Sequence, residues 1–181
     1  MWARFCYHVD FIVCPPLIAF FAFCAWRDSV GWNHVGSSLW FLNGVLGWTL
    51  IEYVFHRWML HHAPLFKPAH MAHHDAPDEL IASPPGLVPL ALAGFGQIAM
   101  YGASPGSAAG FTAGMVSAYL FYSFVHWATH RLSHSTSAYM IRARRRHLLH
   151  HYAGQEANYG VTTDFWDRVF ATGFASKVSR S

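Results

Sequence analysis

The sequence predicts an all-α integral membrane protein with about four transmembrane helices, and three observations support this fold class. Hydrophobic residues make up 54% of the 181 residues and charged residues only 12%, about half the charged share of an average soluble domain. Four apolar runs approach or reach the length needed to cross a hydrocarbon core of about 30 Å. Fourteen histidines are present, most of them in the polar segments that border these runs. We expect residues 1–181 to form a single membrane domain.

The first two runs are predicted to be membrane-spanning helices. Residues 11–26 are short for a span and contain Pro15 and Pro16, which would kink the helix. Residues 38–59 are long enough to span. Their far end carries polar residues, beginning with Glu52. Because polar groups are costly in lipid, we expect these side chains to face the protein interior or the interface.

The second pair of runs forms an apolar hairpin. Residues 84–101 and 111–127 are predicted spans, joined by an uncharged turn over 102–110. The polar chain that follows is predicted to be mostly helical until about Tyr152. Most of the lysines and arginines lie after the second span or in the C-terminal tail. The positive-inside rule therefore places both histidine-bearing segments on the cytoplasmic side.

Four arginines form a basic cluster beside the last histidines: Arg142, Arg144, Arg145 and Arg146. At the edge of a bilayer, such a cluster suits anionic headgroups or an acidic partner protein. Nucleic acid is a poor fit for a chain of this apolar composition.

Ten of the fourteen histidines fall into four short groups near the ends of the apolar runs. Side chains three or four residues apart share a face of a helix, so three of the groups each offer two or three imidazoles to one point. His56 and His61 are five residues apart and are the exception. Pro64 disfavours helical geometry just before it, so we expect the helix to stop near His61, which then folds back. The ten are His56, His61, His70, His73, His74, His126, His130, His147, His150 and His151.

Ten imidazoles exceed what one ion can take, so the sequence predicts two metal ions. Neutral imidazole suits iron, copper, zinc and nickel, and nitrogen ligands alone accept zinc as readily as iron. The lipid setting favours iron, because attack on an unactivated C–H bond needs oxygen chemistry that zinc does not support. His8 and His34 stand alone and are left out, and the roles of His62 and His134 stay open.

Four motifs in this order resemble the fatty acid hydroxylase and sterol desaturase superfamily: EYVFHRWMLH, HMAHH, HWATH and HLLHHYAGQEANYGVTTDFWD. The similarity covers residues 52–172 and is closest to the fatty acid 2-hydroxylase branch. The resemblance implies a four-span membrane enzyme with a cytosolic helical cap and a dimetal centre. The ten grouped histidines match the ligand positions of the family, and no catalytic residue beyond them is expected.

The resemblance also implies a reaction. We expect a non-haem diiron oxygenase that uses O2 to hydroxylate a lipid acyl chain, with two iron ions that zinc can replace on purification. A desaturase or hydroxylase of a sterol or carotenoid is the alternative. No cytochrome b5 domain precedes the first span, so we expect a separate electron donor of the ferredoxin or cytochrome b5 type. The interval between His61 and His70 is shorter than in eukaryotic 2-hydroxylases, which predicts a trimmed cap.

Two other function classes fit the sequence less well. A haem carrier needs single histidines in the middle of its spans, whereas these lie at the ends. A metal transporter places its ligands near the bilayer midplane, where this chain has almost none.

Supporting residues can also be named. Metal-bound imidazoles usually donate their second N–H to a carboxylate or carbonyl. The carboxylates near enough in sequence are Glu52, Asp75, Glu79, Asp164 and Asp167. Asn158, Tyr159 and Gly160 are typical of a turn that either closes the site or simply caps the last helix.

Overall fold

The structure, a computed structural model, describes residues 2–28, 33–77, 86–132, 134 and 137–174. All regular secondary structure in these residues is helical, which confirms the all-α prediction. The helices are α1 (Trp2–Arg27), α2 (Asn33–Val54), a π-helical segment (Phe55–Leu60), α3 (Lys67–Asp75), α4 (Leu87–Ala99), α5 (Pro105–Arg131), α6 (Ala138–Tyr152) and α7 (Phe165–Val169).

Two of the described helical segments are long and apolar enough to cross a membrane: His8–Arg27 and Pro105–Arg131. Helix α4 is apolar but has 13 residues, about 20 Å of helix, which is shorter than the hydrocarbon core. Helix α2 occupies the second predicted span. The count of four spans therefore stays a prediction.

The helix boundaries differ from the prediction at α5. The uncharged stretch 102–110 is a turn only as far as Ser104, and α5 begins at Pro105. The Ser104 hydroxyl accepts a hydrogen bond from the Ser107 amide at 3.2 Å, so serine caps the helix and proline takes its first position. The Ser-Pro pair was the signal for this start. Helix α1 continues through Pro15 and Pro16.

The chain divides into two compact units. The first comprises Met1–Trp48 and Ala82–Leu120, and the second comprises Thr49–Ile81 and Phe121–Ser181. All ten grouped histidines belong to the second unit.

Glycines allow α2 and α5 to cross closely within the first unit. A Cβ atom added at Gly44 would overlap the carbonyl oxygen of Phe111, and one added at Gly114 would overlap that of Phe41. Small residues at such positions let two helix backbones approach, which is how helices commonly associate in membranes. The sequence contains this spacing as Gly110 and Gly114, four residues apart.

A buried carboxylate links three elements of the first unit. Asp10 of α1 accepts hydrogen bonds from the Tyr119 hydroxyl of α5 and, at 2.9 Å, from the amide of Gly86, which precedes α4. A buried charge is costly unless it is hydrogen-bonded. These two donors therefore explain how Asp10 is tolerated in an apolar helix.

The second unit has a small apolar core beside its histidines. Val125 of α5, Ala143 of α6 and Val161 of the following loop are buried together, with Tyr139 packed against them. Helix α6 begins at Ala138, directly after the cap residue Ser137, and ends at Tyr152, where the sequence predicted its end.

Candidate metal centre

The structure brings all ten grouped histidines together in the second unit, as two groups of five. Within each group, the imidazole nitrogens that can bind a metal all lie within 4.8 Å of one another. The first histidine group is His56, His61, His70, His74 and His150. The second histidine group is His73, His126, His130, His147 and His151.

Helical spacing of four residues determines which histidines share a group. His70 and His74 on α3 join the first group, while His73 between them joins the second. On α6, His147 and His151 join the second group, and His150 joins the first. The expectation that each sequence group serves one point is therefore wrong for α3 and α6, because spacing of three leaves a larger angle between side chains than spacing of four.

His56 and His61 meet through a π-helix rather than by a fold-back of the chain. Residues 55–60 are π-helical, and the helical backbone continues to His62. Hydrogen bonds in a π-helix reach five residues along the chain, which brings side chains five apart on to one face. The ring centroids of His56 and His61 are 5.2 Å apart. The expected end of the helix near His61 is nearly correct, but the geometry that joins the pair is different.

The two groups lie beside each other. The rings of His74 and His151, one from each group, are stacked with centroids 4.2 Å apart. Helices α3 and α6 each supply histidines to both groups, so they fix the position of one group relative to the other.

The convergent nitrogens fit metal ions better than they fit hydrogen bonds. Nε2 of His70 lies 3.1 Å from Nε2 of His56, of His61 and of His74. A neutral imidazole carries only one N–H, so it cannot satisfy three such neighbours. Two ligand nitrogens about 2.1 Å from one ion and at right angles are about 3.0 Å apart. The donor set and its spacing therefore fit a metal in each group.

Five grouped histidines outside the predicted spans have lowered pKa values. Burial lowers the pKa of His61 and His74 to about 4, that of His73 and His150 to about 3, and that of His70 to about 2. Neighbouring imidazoles lower most of them further. These side chains are therefore neutral near pH 7, which is the form that binds metals.

Two imidazoles of the first group are oriented by backbone carbonyls. Nδ1 of His56 donates to the carbonyl oxygen of Tyr159 at 2.6 Å, and Nδ1 of His150 donates to that of Ala157 at 2.7 Å. Each bond keeps the proton on Nδ1 and leaves the Nε2 lone pair directed into the group. Nδ1 of His74, His147 and His151 is buried and makes no hydrogen bond to the described residues.

Two buried carboxylates hold the loop that carries those carbonyls. Glu52 accepts hydrogen bonds from the amides of Val161 and Thr162 at 2.7 and 2.9 Å. Asp167 accepts hydrogen bonds from the amides of Tyr159 and Gly160 at 3.0 and 2.8 Å. The expected carboxylate support thus acts through backbone amides and carbonyls.

The other predicted supporting residues have other roles. Asp75 is exposed, and Asp164 forms an ion pair with Arg168 at 2.7 Å. Glu79 lies outside the described residues. The interpretation of residues 158–160 as a helix cap is wrong, because Ala153 caps α6.

The ungrouped histidines do not join either group, although the ring of His62 lies 6.5 Å from that of His61. His8, His34, His62 and His134 are exposed, and none belongs to either group.

Some functional features were missed from the sequence. The carbonyls of Ala157 and Tyr159 are backbone atoms, which side-chain patterns do not reveal. Gly160 is a partial signal, since a Cβ there would overlap the carbonyl oxygen of Thr163 and lie 3.0 Å from Asp167 Oδ2. The short helix α7, which positions Asp167, was also not predicted.

Comparison with known proteins assigns the motifs to a family. The family model described as fatty acid hydroxylase matches residues 41–172. The chain is 32% identical over 145 residues to a ceramide very long chain fatty acid hydroxylase of Schizosaccharomyces pombe, covering 73% of this chain and 41% of the relative. It is 31% identical over 145 residues to a human fatty acid 2-hydroxylase, covering 73% and 38% of the two chains.

A plant protein and a solved structure are also similar. The chain is 29% identical over 138 residues to a dihydroceramide fatty acyl 2-hydroxylase of Arabidopsis thaliana, covering 71% and 58% of the two chains. It therefore spans 38 to 58% of the length of these relatives. A structure of full-length scs7p, in which only the hydroxylase domain is visible, matches with a TM-score of 0.80 and 25% identity, covering 94% of this chain and 67% of that one. The resemblance inferred from the four motifs is confirmed, and the chain belongs to the fatty acid hydroxylase family.

Proposed function

We propose that this chain is a membrane-bound non-haem diiron oxygenase that hydroxylates a lipid acyl chain. The observation that carries the proposal is the pair of five-histidine groups in a chain of the fatty acid hydroxylase family. The curated relatives are named as hydroxylases of fatty acids, ceramides or dihydroceramides. In this proposal all ten grouped histidines are metal ligands.

Residues around the first histidine group orient two of its imidazoles in advance. His56 and His150 keep their protons on Nδ1 through the carbonyls of Tyr159 and Ala157. The ring of Tyr159 lies 5.5 to 5.7 Å from the imidazoles of His56, His61 and His150 and covers this side of the first group. Such a ring limits the access of water, and burial keeps the ligands neutral.

The ligand number favours iron over zinc. Each group offers five nitrogens, whereas structural zinc sites almost always have four ligands in a tetrahedron. Iron held there would supply the O2 chemistry that breaks an unactivated C–H bond. Zinc can replace iron in the purified protein, since it also binds imidazole.

The reaction needs a lipid substrate, a membrane setting and a supply of electrons. The two helical segments that are long enough to span support a lipid-embedded enzyme. The uneven distribution of lysine and arginine supports a site on the cytoplasmic face. We assign the electrons to a separate donor of the ferredoxin or cytochrome b5 type.

Lipid mass spectrometry of cells with and without the gene tests the proposal. We expect a lipid that gains about 16 mass units, the mass of one oxygen atom, when the gene is present. A loss of about 2 mass units would instead indicate desaturation. Metal analysis of the purified chain should give two ions per chain.

The His150→Ala variant is the matched control for the cellular experiment. It should accumulate in the membrane as the wild type does and form none of the product. Product formation at the wild-type level by this variant would contradict the shared metal site.

A further inference from the structure

Two buried carboxylates, Glu52 and Asp167, hold the loop that contacts the first histidine group. We infer that Glu52 and Asp167 are positioning residues for the first histidine group and not for the second. This inference rests on the proposed function, because it concerns how the metal ligands are oriented. It goes further by separating the two sites.

Hydrogen bonds connect the two carboxylates to the imidazoles of the first group through the loop at residues 157–162. Each carboxylate accepts hydrogen bonds from two backbone amides of residues 159–162. Each also accepts a hydrogen bond from a threonine hydroxyl. Thr162 Oγ1 donates to Glu52 at 2.5 Å, and Thr172 Oγ1 donates to Asp167 at 2.7 Å. The same stretch of chain presents the Tyr159 and Ala157 carbonyls to His56 and His150.

The two groups differ in this support. Both carbonyl-bound imidazoles belong to the first group. In the second group, Nδ1 of His147 and of His151 is buried without a hydrogen-bond partner among the described residues. Loosening the loop should therefore release two ligands of the first group and leave those two histidines of the second group unaffected.

Metal binding by the full chain in detergent micelles tests the inference. Metal-free protein is titrated with Fe²⁺ under anaerobic conditions, and bound iron is measured by mass spectrometry after desalting. The wild type should retain two ions, and Asp167→Ala should retain one and bind the other 10- to 100-fold more weakly, as is usual when the support of a ligand is lost. Asp164→Ala is the matched control, since Asp164 lies three residues away in an exposed ion pair, and it should retain two.

Combining variants identifies the affected site. In a His147→Ala background, which weakens the second group, Asp167→Ala should remove the remaining ion. In a His150→Ala background, which weakens the first group, it should change iron binding less than about 2-fold. Equal effects in the two backgrounds would overturn the inference, whereas a wild type that binds no iron would instead overturn the proposed function.

Milder variants keep the test valid if alanine prevents folding. Glu52→Gln preserves an oxygen that can accept both amides, so it should retain most of the iron that Glu52→Ala loses. Thr172→Val removes a single donor to Asp167 and should weaken the first site alone. Loss of both sites in these mild variants would also overturn the inference.

A groove on the outer side of α6 provides a second, independent observation. It has a volume of about 530 Å³ and is lined by seven apolar or aromatic residues and two arginines. Leu132, Ile141 and Tyr152 of this lining are 41%, 53% and 69% exposed. Arg144 and Arg145 form no ion pair with the described residues, and Nε of Arg144 is buried without a hydrogen-bond partner.

We propose that this groove binds an anionic phospholipid. Its apolar lining suits an acyl chain, and its two arginines suit a phosphate, which guanidinium binds through paired hydrogen bonds. The groove begins at Leu132, directly after α5. That helix has 27 residues, about 40 Å of length against a hydrocarbon core of about 30 Å. Its end therefore reaches the level of the headgroups.

The arginine cluster is divided rather than uniform, which argues against an acidic protein as the occupant. Arg146 is directed away from the groove and donates to the carbonyl of Val161 at 3.4 Å. Arg142 is exposed and does not line the groove. An acidic protein surface would gain most from all four charges, whereas a single headgroup needs only the pair beside the apolar lining.

Native mass spectrometry of the full chain in detergent micelles tests the site with dioleoyl phosphatidylglycerol. We expect this lipid to be retained more than phosphatidylcholine, and Arg144→Gln with Arg145→Gln to reduce retention at least 5-fold. Ile141→Gln should also reduce it, and millimolar inorganic phosphate should not compete. Arg142→Gln is the matched control on the same helix and should change retention less than 2-fold.

Three results would overturn the lipid site. An equal loss in Arg142→Gln would indicate attraction by net charge alone. Competition by inorganic phosphate would indicate a site for a free anion. Displacement of the lipid by an acidic ferredoxin would indicate a docking surface for the electron donor.

Discussion

Most of the grouped histidines are buried, and their ring nitrogens are directed toward those of other histidines. Desolvation is the largest cause of the lowered pKa at His70, His73 and His150. Burial of so many imidazoles without a bound cation is costly, because few N–H groups are available for their lone pairs. The arrangement is therefore understandable as a set of ligands and not as a hydrogen-bonded core.

Alanine substitutions should distinguish the grouped histidines, which we propose bind metal, from ungrouped histidines nearby. His73→Ala removes a ligand of the second group and His150→Ala one of the first, so each should lower turnover by more than about 100-fold, the upper end of the effect of removing a supporting residue. His62→Ala is the control, because His62 is exposed and adjacent to the ligand His61. It should retain turnover within about 2-fold. Product formation per unit of membrane-inserted protein is the measurement, and equal losses in all three variants would contradict the assignment.

Helices and their periodicity determine how much of this site could be predicted. Spacing of four residues correctly paired His126 with His130 and identified which helices would carry ligands. It could not divide α3 and α6 between two groups, because the division depends on which elements pack on each side. It also did not indicate the π-helix at residues 55–60, because π-helical turns are rare and the spacing was compared with a regular α-helix.

The close crossing of α2 and α5 allows a test at the level of helices. Gly44→Ala places a methyl group against the Phe111 carbonyl, so it should destabilise the chain by about 1–3 kcal/mol, the usual cost of overpacking. The melting temperature in detergent should fall by several degrees. Gly36→Ala in the same helix meets no atom within 4 Å. It should be neutral or stabilise by up to about 1 kcal/mol, because alanine favours helix more than glycine. Similar melting temperatures for the two variants would contradict the crossing.

The fold class and the family of the whole molecule could be predicted from the sequence, but its long-range contacts could not. Composition and apolar runs predicted an all-helical chain, and the motifs predicted the family. The contacts of Glu52 and Asp167 could not be predicted, because they join residues 109 and 8 positions apart through backbone amides. Only the folded chain brings those amides to the carboxylates.

The collected pKa shifts predict how stability depends on pH. The folded pKa values of His61, His70 and His151, about 4, 2 and 2, lie below the ordinary value of 6.5. Below pH 6.5 the unfolded chain therefore binds more protons, and the free energy of unfolding falls as the pH falls. The contribution of these groups is complete above pH 6.5 and is lost as the pH falls toward the folded pKa values, by at most about 1.4 kcal/mol per histidine and pH unit.

Thermal unfolding of the metal-free chain in detergent, from pH 7.5 to 4.5, should show a steadily falling melting temperature. Iron-loaded protein should melt higher at pH 7.5 and lose that advantage on acidification, because protons compete with the metal for the same nitrogens. A melting temperature that is constant or rises on acidification would contradict the burial of neutral imidazoles.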